Sequence, residues 1–238
     1  MANKNIICFD LETTGVQQYT DEILQCSIVD GDFNVLFSDY CKPLNHTEWP
    51  QAQAKNNISP SMVMNKPTIQ ERKQEIIDIF NKADIIVTYN GEHFDIPMIQ
   101  RILDFKIKGK SFDVMKHFIH EFALYDHSQN MFKLDNVCKC FGIVNEKAHD
   151  ALEDVKATLK CFYKMVEEGK KPNLYTIYKF DDGKEIYTES LALEYKNKSG
   201  HKVVDTIYLG KDGIIDKSQV GDKSQYRVGE FIKERELI

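Results

Sequence analysis

The chain opens on a short apolar run, Ile6–Leu11, rich in β-branched residues and closed by Thr-Thr-Gly, the pattern of a strand that stops at a turn. Ile23–Val29 and Val35–Tyr40 repeat that pattern, and Asp30-Gly31-Asp32-Phe33-Asn34 between them is a turn signal. The two therefore form a hairpin, and the sheet begins antiparallel. Lys42 to Lys66 carries Pro43, Pro50 and Pro60 among polar residues and reads as loop or short helix. Over Ile69–Lys82 the apolar residues Ile69, Ile76, Ile79 and Phe80 fall near helical spacing. A buried strand over Asp84–Tyr89 then leads through Asn90-Gly91 into a helix around Ile96–Leu103. A brief strand over Ser111–Val114 and helices over Met115–Leu124 and Leu134–Phe141 follow, the last closed by Gly142 as a C-cap. A long helix over His149–Glu168 ends at Gly169.

Beyond Lys170-Lys171-Pro172 the pattern changes. Tyr175–Phe180, Glu185–Leu193 and Val203–Leu209 alternate apolar and polar positions, separated by Asp181-Asp182-Gly183 and Asn197-Lys198-Ser199-Gly200. That predicts a small antiparallel sheet of hairpins and a boundary near residue 170. Residues 1–170 form one domain, and 171–238 a small β-rich region whose role the sequence does not give.

Composition adds limits. With 238 residues and 42% hydrophobic content, the chain can bury one good-sized core and carry an appendage. The first strand follows so closely on the first residue that no signal peptide fits before it, and no segment approaches the ~20 apolar residues of a membrane span. A cytosolic protein without a membrane partner is expected. Six scattered cysteines then read as reduced, mostly buried thiols, and the one close pair, Cys138 and Cys140, has the wrong spacing for a zinc knuckle. The net charge of −6 falls entirely on the first 170 residues, since Lys171–Ile238 balances twelve basic against twelve acidic groups. Such a domain does not grip a long duplex by its phosphates. It can admit a strand end to a site neutralised by cations.

Three motifs carry chemistry: FDLETTG (Phe9–Gly15), YNGEHFD (Tyr89–Asp95) and HDALED (His149–Asp154). Asp10 and Glu12, two apart on a strand, point to one face, where neighbouring carboxylates repel unless cations intervene. Hard divalent ions such as Mg²⁺ or Mn²⁺ prefer such oxygen ligands. Asp95 starts a helix just beyond a buried strand, at the crevice outside the strand ends. Asp154 lies on the last long helix, with His149 at its N-terminal edge. Singly, each has an ordinary explanation: a solvated strand end, a helix-terminal acid that complements the dipole, a surface histidine. His46, His93, His117, His120, His127 and His201 keep that ordinary reading, and His149 differs by its company. No Walker A run or G-x-G-x-x-G appears.

Taken jointly, and in this order, the three motifs resemble the DnaQ-like 3′→5′ exonucleases of the DEDD superfamily, histidine subgroup. The resemblance runs from about residue 4 to 168 and includes AKNNISPSMV (Ala54–Val63) between the first two motifs. It implies an α/β, ribonuclease H-like mixed sheet flanked by helices, with the C-terminal antiparallel β region as an appendage. It also implies an enzyme that frees nucleoside monophosphates from a 3′ end of single-stranded nucleic acid, DNA ahead of RNA, in some cases beside a DNA polymerase. Asp10, Glu12, Asp95 and Asp154 would hold two divalent cations, and His149 would be the general base. Thr13, Asn90 and Phe94 would contact the terminal nucleotide. One departure is KNNISP, where the family often has His-Gly: Asn56-Asn57 stand there, which bears on terminal-base contacts rather than on the metal site. Oligoribonucleases share the five residues, and a non-catalytic binding module on the same fold is the alternative of another class. Tyr175, Tyr178, Tyr187, Tyr195 and Tyr208 read as sheet packing or as base-stacking surfaces.

Overall fold

The computed structural model describes residues 4–121, 132–145, 150–169, 173–186, 189–210, 213–220 and 227–229. The chain divides into two compact units, Met1–Lys164 and Met165–Ile238.

The first unit is built on a five-stranded sheet. Strands β1 (Ile6–Thr13), β2 (Ile23–Asp30) and β3 (Val35–Tyr40) form the antiparallel start, and β4 (Ile85–Thr88) and β5 (Lys110–Asp113) extend it in parallel. The strand order is β3-β2-β1-β4-β5. β1 runs two residues further than the apolar run predicts, because Glu12 pairs with Gln25 and Thr13 with Ile23. The hairpin turn holds through Asp30, whose carboxylate accepts the backbone N–H groups of Asp32 and Asn34.

Helices α1 (Pro50–Asn56) and α2 (Pro60–Val63) lie where loop or short helix is expected, both with proline in the first turn. Trp49, Ile58 and Val63 pack on Leu24 there. The segment predicted as one helix over Ile69–Lys82 is a 3₁₀ turn, Ile69–Arg72, followed by α3 (Lys73–Lys82). Thr68 and Glu71 cap that turn reciprocally. Helix α4 spans Asp95–Leu103, α5 Val114–Glu121, α6 Leu134–Cys140 and α7 Ala151–Gly169. Gly142 follows α6 with φ +66°, as a C-cap glycine should.

The two faces of β1 have different partners. Ile7, Phe9 and Leu11 point into the main core with Ile76 and Phe80 of α3 and Met98, Ile99 and Leu103 of α4. Phe9 and Phe80 meet edge-to-face at 5.0 Å. The even-numbered residues face α7: the Cys8 thiol donates to the Val155 carbonyl at 3.4 Å, and Tyr163 donates to the Gly31 carbonyl at 2.7 Å. The period of two that buries Phe9 on one side therefore turns Asp10 and Glu12 towards α7.

The second unit holds a mixed sheet of β6 (Asn173–Phe180), β7 (Glu185–Ile186), β8 (Val203–Gly210), β9 (Gly213–Ile215) and β10 (Arg227–Gly229). One expectation needs correction. The strand predicted over Glu185–Leu193 ends at Ile186, and Glu189–Ser199 is helix α8. Ala192 and Tyr195, three apart, pack with Phe180, so helical spacing outweighs the alternation. The predicted strands do pair antiparallel, β6 with β7 and β8, and β10, outside the predicted strands, adds to β6 in parallel. Tyr178 and Tyr195 serve as packing around Phe180, and Tyr187 lies outside the described residues. No described helix is long and apolar enough to cross a membrane.

Candidate active site

Asp10, Glu12 and Asp154 each bring a carboxylate oxygen to within 4.8 Å of the others. β1 supplies the first two and the first turn of α7 the third. Asp150 sets that helix start: its carboxylate accepts the N–H groups of Leu152 and Glu153, and its carbonyl takes the Asp154 N–H at 2.9 Å. Ala151 N–H reaches Gln25 Oε1 of β2, tying the helix start to the sheet. Asp95 is buried at the first position of α4, and its charge acts on both Asp10 and Glu12.

The electrostatics follow from burial and crowding. Loss of water, then the charges of Asp95, Glu12 and Asp154, hold the Asp10 carboxyl well above the usual carboxylate range. Burial and Asp154 push Glu12 to about 8, and burial pushes Asp95 to about 7. The leading charged neighbours of all three are other carboxylates. Burial and mutual repulsion thus both raise these carboxyls, and an all-oxygen donor set of this kind suits a hard divalent cation.

His149 lies outside the described residues. Of the nucleotide-contact candidates, Thr13 adjoins Glu12, and its hydroxyl donates to the Gly15 carbonyl at 2.6 Å. Asn90 sits beyond β4 in the left-handed region (φ 57°), with its N–H on Asp113 Oδ1. It lines an open pocket of about 390 Å³ with His93, Met115 and Lys116, while the partly buried Phe94 packs against the main core just before α4.

Sequence reasoning missed two residues at the cluster. Asn56 donates to the Thr13 carbonyl at 3.3 Å and also bonds the Glu12 carboxylate. The Asn56-Asn57 departure therefore bears on the acidic cluster itself. Asn57 takes φ 58°, the left-handed conformation that a glycine would supply, so the local turn survives. Asn145 donates from Nδ2 to Asp154 Oδ1 at 2.8 Å. Only the Asn-for-His-Gly departure signalled either in advance.

A family model described as Exonuclease matches residues 7–162, a span that holds the sheet, the acidic cluster and most of α7. The chain belongs to this exonuclease family. Among curated relatives of this member, the PolC-type DNA polymerase III of Caldanaerobacter subterraneus subsp. tengcongensis is 28% identical over 171 residues, 68% of this chain and 12% of that protein. The DNA polymerase III subunit epsilon of Treponema pallidum is 26% identical, across 69% of this chain and 78% of the subunit. Exodeoxyribonuclease I of Buchnera aphidicola is 25% identical, across 73% and 48% respectively. The exonuclease-family chain thus spans about an eighth of the first polymerase and half of exodeoxyribonuclease I. In structure it resembles E. coli exonuclease I solved with a dT13 oligonucleotide (TM-score 0.57, 17% identity, 87% of this chain and 52% of that one). The fold is accordingly ribonuclease H-like, a mixed sheet flanked by helices.

Proposed function

We propose that this exonuclease-family chain is a 3′→5′ exonuclease that removes nucleoside 5′-monophosphates from single-stranded DNA. The observation that carries the reading is the convergence of Asp10, Glu12 and Asp154 from distant parts of the chain, with Asp95 acting on the same cluster. In this reading Asp10, Glu12, Asp95 and Asp154 hold two divalent cations, Mg²⁺ or Mn²⁺. When bound, the cations polarise the scissile phosphate and stabilise the charge that develops on it. His149 accepts the proton of the attacking water, a role that suits a group with an unperturbed pKa near 6.5. Thr13, Asn90 and Phe94 border the terminal nucleotide.

DNA is placed ahead of RNA because the relatives are named as DNA polymerases and exodeoxyribonucleases. The same relatives support a DNA polymerase as partner. Residues 1–170 then form the nuclease domain, and 171–238 a second, small β-rich region.

The test is a digest of 5′-labelled single-stranded DNA and RNA of one sequence, with Mn²⁺ and with EDTA. A ladder shortening from the 3′ end, dependent on metal and faster on DNA, is expected. A labelled strand left at full length by the wild type with Mn²⁺ would refute the activity, and faster digestion of RNA would refute the substrate.

A further inference from the structure

Both amides missed by sequence reasoning press a donor against a carboxylate of the cluster, from segments far apart in the first unit's chain. Asn56, 7% exposed at the end of α1, has its orientation fixed by Ile58, whose N–H donates to Asn56 Oδ1 at 3.1 Å. Nδ2 must then face the Thr13 carbonyl and Glu12. Asn145, in the segment after α6, is fixed by two acceptors: Nδ2 donates to Asp135 Oδ1 at 3.2 Å and to Asp154 Oδ1 at 2.8 Å. Its Oδ1 is buried without a hydrogen-bond partner among the described residues. Flipping the amide would set an oxygen against two carboxylates, so the unpaired acceptor accompanies the use of the donor on Asp154.

We infer that Asn56 and Asn145 are positioning residues that aim Glu12 and Asp154 at the cations. An amide suits this task for an electrostatic reason. It fixes the direction of a carboxylate's lone pairs while adding no charge. A lysine or arginine in its place would neutralise the ligand and compete with the metal, and another carboxylate would add repulsion. Each donor also ties its ligand to a different element. Asn56 links Glu12 to the α1 turn, and Asn145 links Asp154 on α7 to Asp135 on α6.

The inference rests on the proposed function for its cations, and the test separates the two. Mn²⁺ binding is measured by calorimetry on the full chain without nucleic acid, for wild type, Asn56→Ala, Asn145→Ala and Asn145→Leu. Loss of an outer partner of this kind weakens metal binding about 10–100-fold. That loss is expected in each variant, with kcat on single-stranded DNA lowered and KM for DNA unchanged. Asn145→Leu keeps the side chain's branching and heavy-atom count and removes the unpaired oxygen, so it should melt in EDTA close to wild type while losing Mn²⁺ affinity. A merely structural asparagine would show the reverse. Mn²⁺ affinity within twofold of wild type in the folded variants would overturn the inference and leave the activity standing. A wild type that binds Mn²⁺ but cleaves nothing would overturn the function and leave the affinity comparison readable.

Discussion

Without metal, the protein should lose stability as pH rises from 5 to 8.5. Glu12 goes from 4.5 in the unfolded chain to about 8 when folded, and Asp95 from 3.8 to about 7. A raised carboxyl pKa means the folded state holds its proton longer than the unfolded state does. Its contribution is therefore complete below the unfolded value and disappears as pH climbs through the folded one. Each unit corresponds to about 1.4 kcal/mol, which gives about 5 kcal/mol as an upper bound for Glu12. Glu12 is half-buried and its neighbours titrate with it, so about 3–5 kcal/mol for the whole cluster is the working figure. At about 2–4 °C per kcal/mol, the melting temperature should fall by roughly 10 °C. Carboxylates with lowered values, such as Glu22, Asp30 and Glu92, act in the opposite sense and below about pH 4.5, outside the window. The assay is thermal unfolding in EDTA at half-unit steps, repeated with Mn²⁺ and with Glu12→Gln. Mn²⁺ at about 100 times its Kd should restore about 2.7 kcal/mol at pH 8.5, and the substitution should flatten the slope. A melting temperature that is level or rising from pH 5 to 8.5 in EDTA would refute the account of the cluster.

Other outcomes follow from single residues. Asp10→Asn should abolish most turnover and weaken Mn²⁺ binding, yet raise the melting temperature in EDTA at pH 8, because one buried charge is gone. His149→Ala should lower kcat by about 10²–10⁴ with Mn²⁺ affinity kept, read from single-turnover digests. Gly91→Ala should cost about 1–3 kcal/mol in urea unfolding, since the new Cβ would meet the Thr88 Cβ at 2.5 Å. Phe9→Ala should cost about 3–5 kcal/mol in the same assay, as it empties the contact with Phe80.

The first unit was legible because its elements announce themselves locally. β1 to β3 each carry strand patterns closed by turn residues, and α7 ends where Gly169 stands. The acidic cluster was legible for a different reason: alternation on β1 fixes that Asp10 and Glu12 share a face, and the resemblance supplied which distant acids join them. The C-terminal unit was read less well. Glu185–Leu193 alternates over a few residues, but the helix that replaces most of it depends on Ala192 and Tyr195 finding Phe180, a tertiary contact with no local mark.

Asn56 and Asn145 show where such reading stops and why. A side chain that reaches a carboxylate across 44 positions of sequence, as Asn56 does to Glu12, belongs to no period and no spacing rule. The Asn-Asn departure was visible but ambiguous, because two separate demands meet there. Asn57 meets the backbone's demand for a positive φ, which asparagine tolerates better than most residues. Asn56 meets the cluster's demand for an uncharged donor. A His-Gly pair would meet the first with glycine and bring an imidazole, able to carry charge, to the second. The substitution thus keeps the turn and changes the electrostatics beside a proposed metal ligand, a change that only the position of the amide relative to Glu12 reveals.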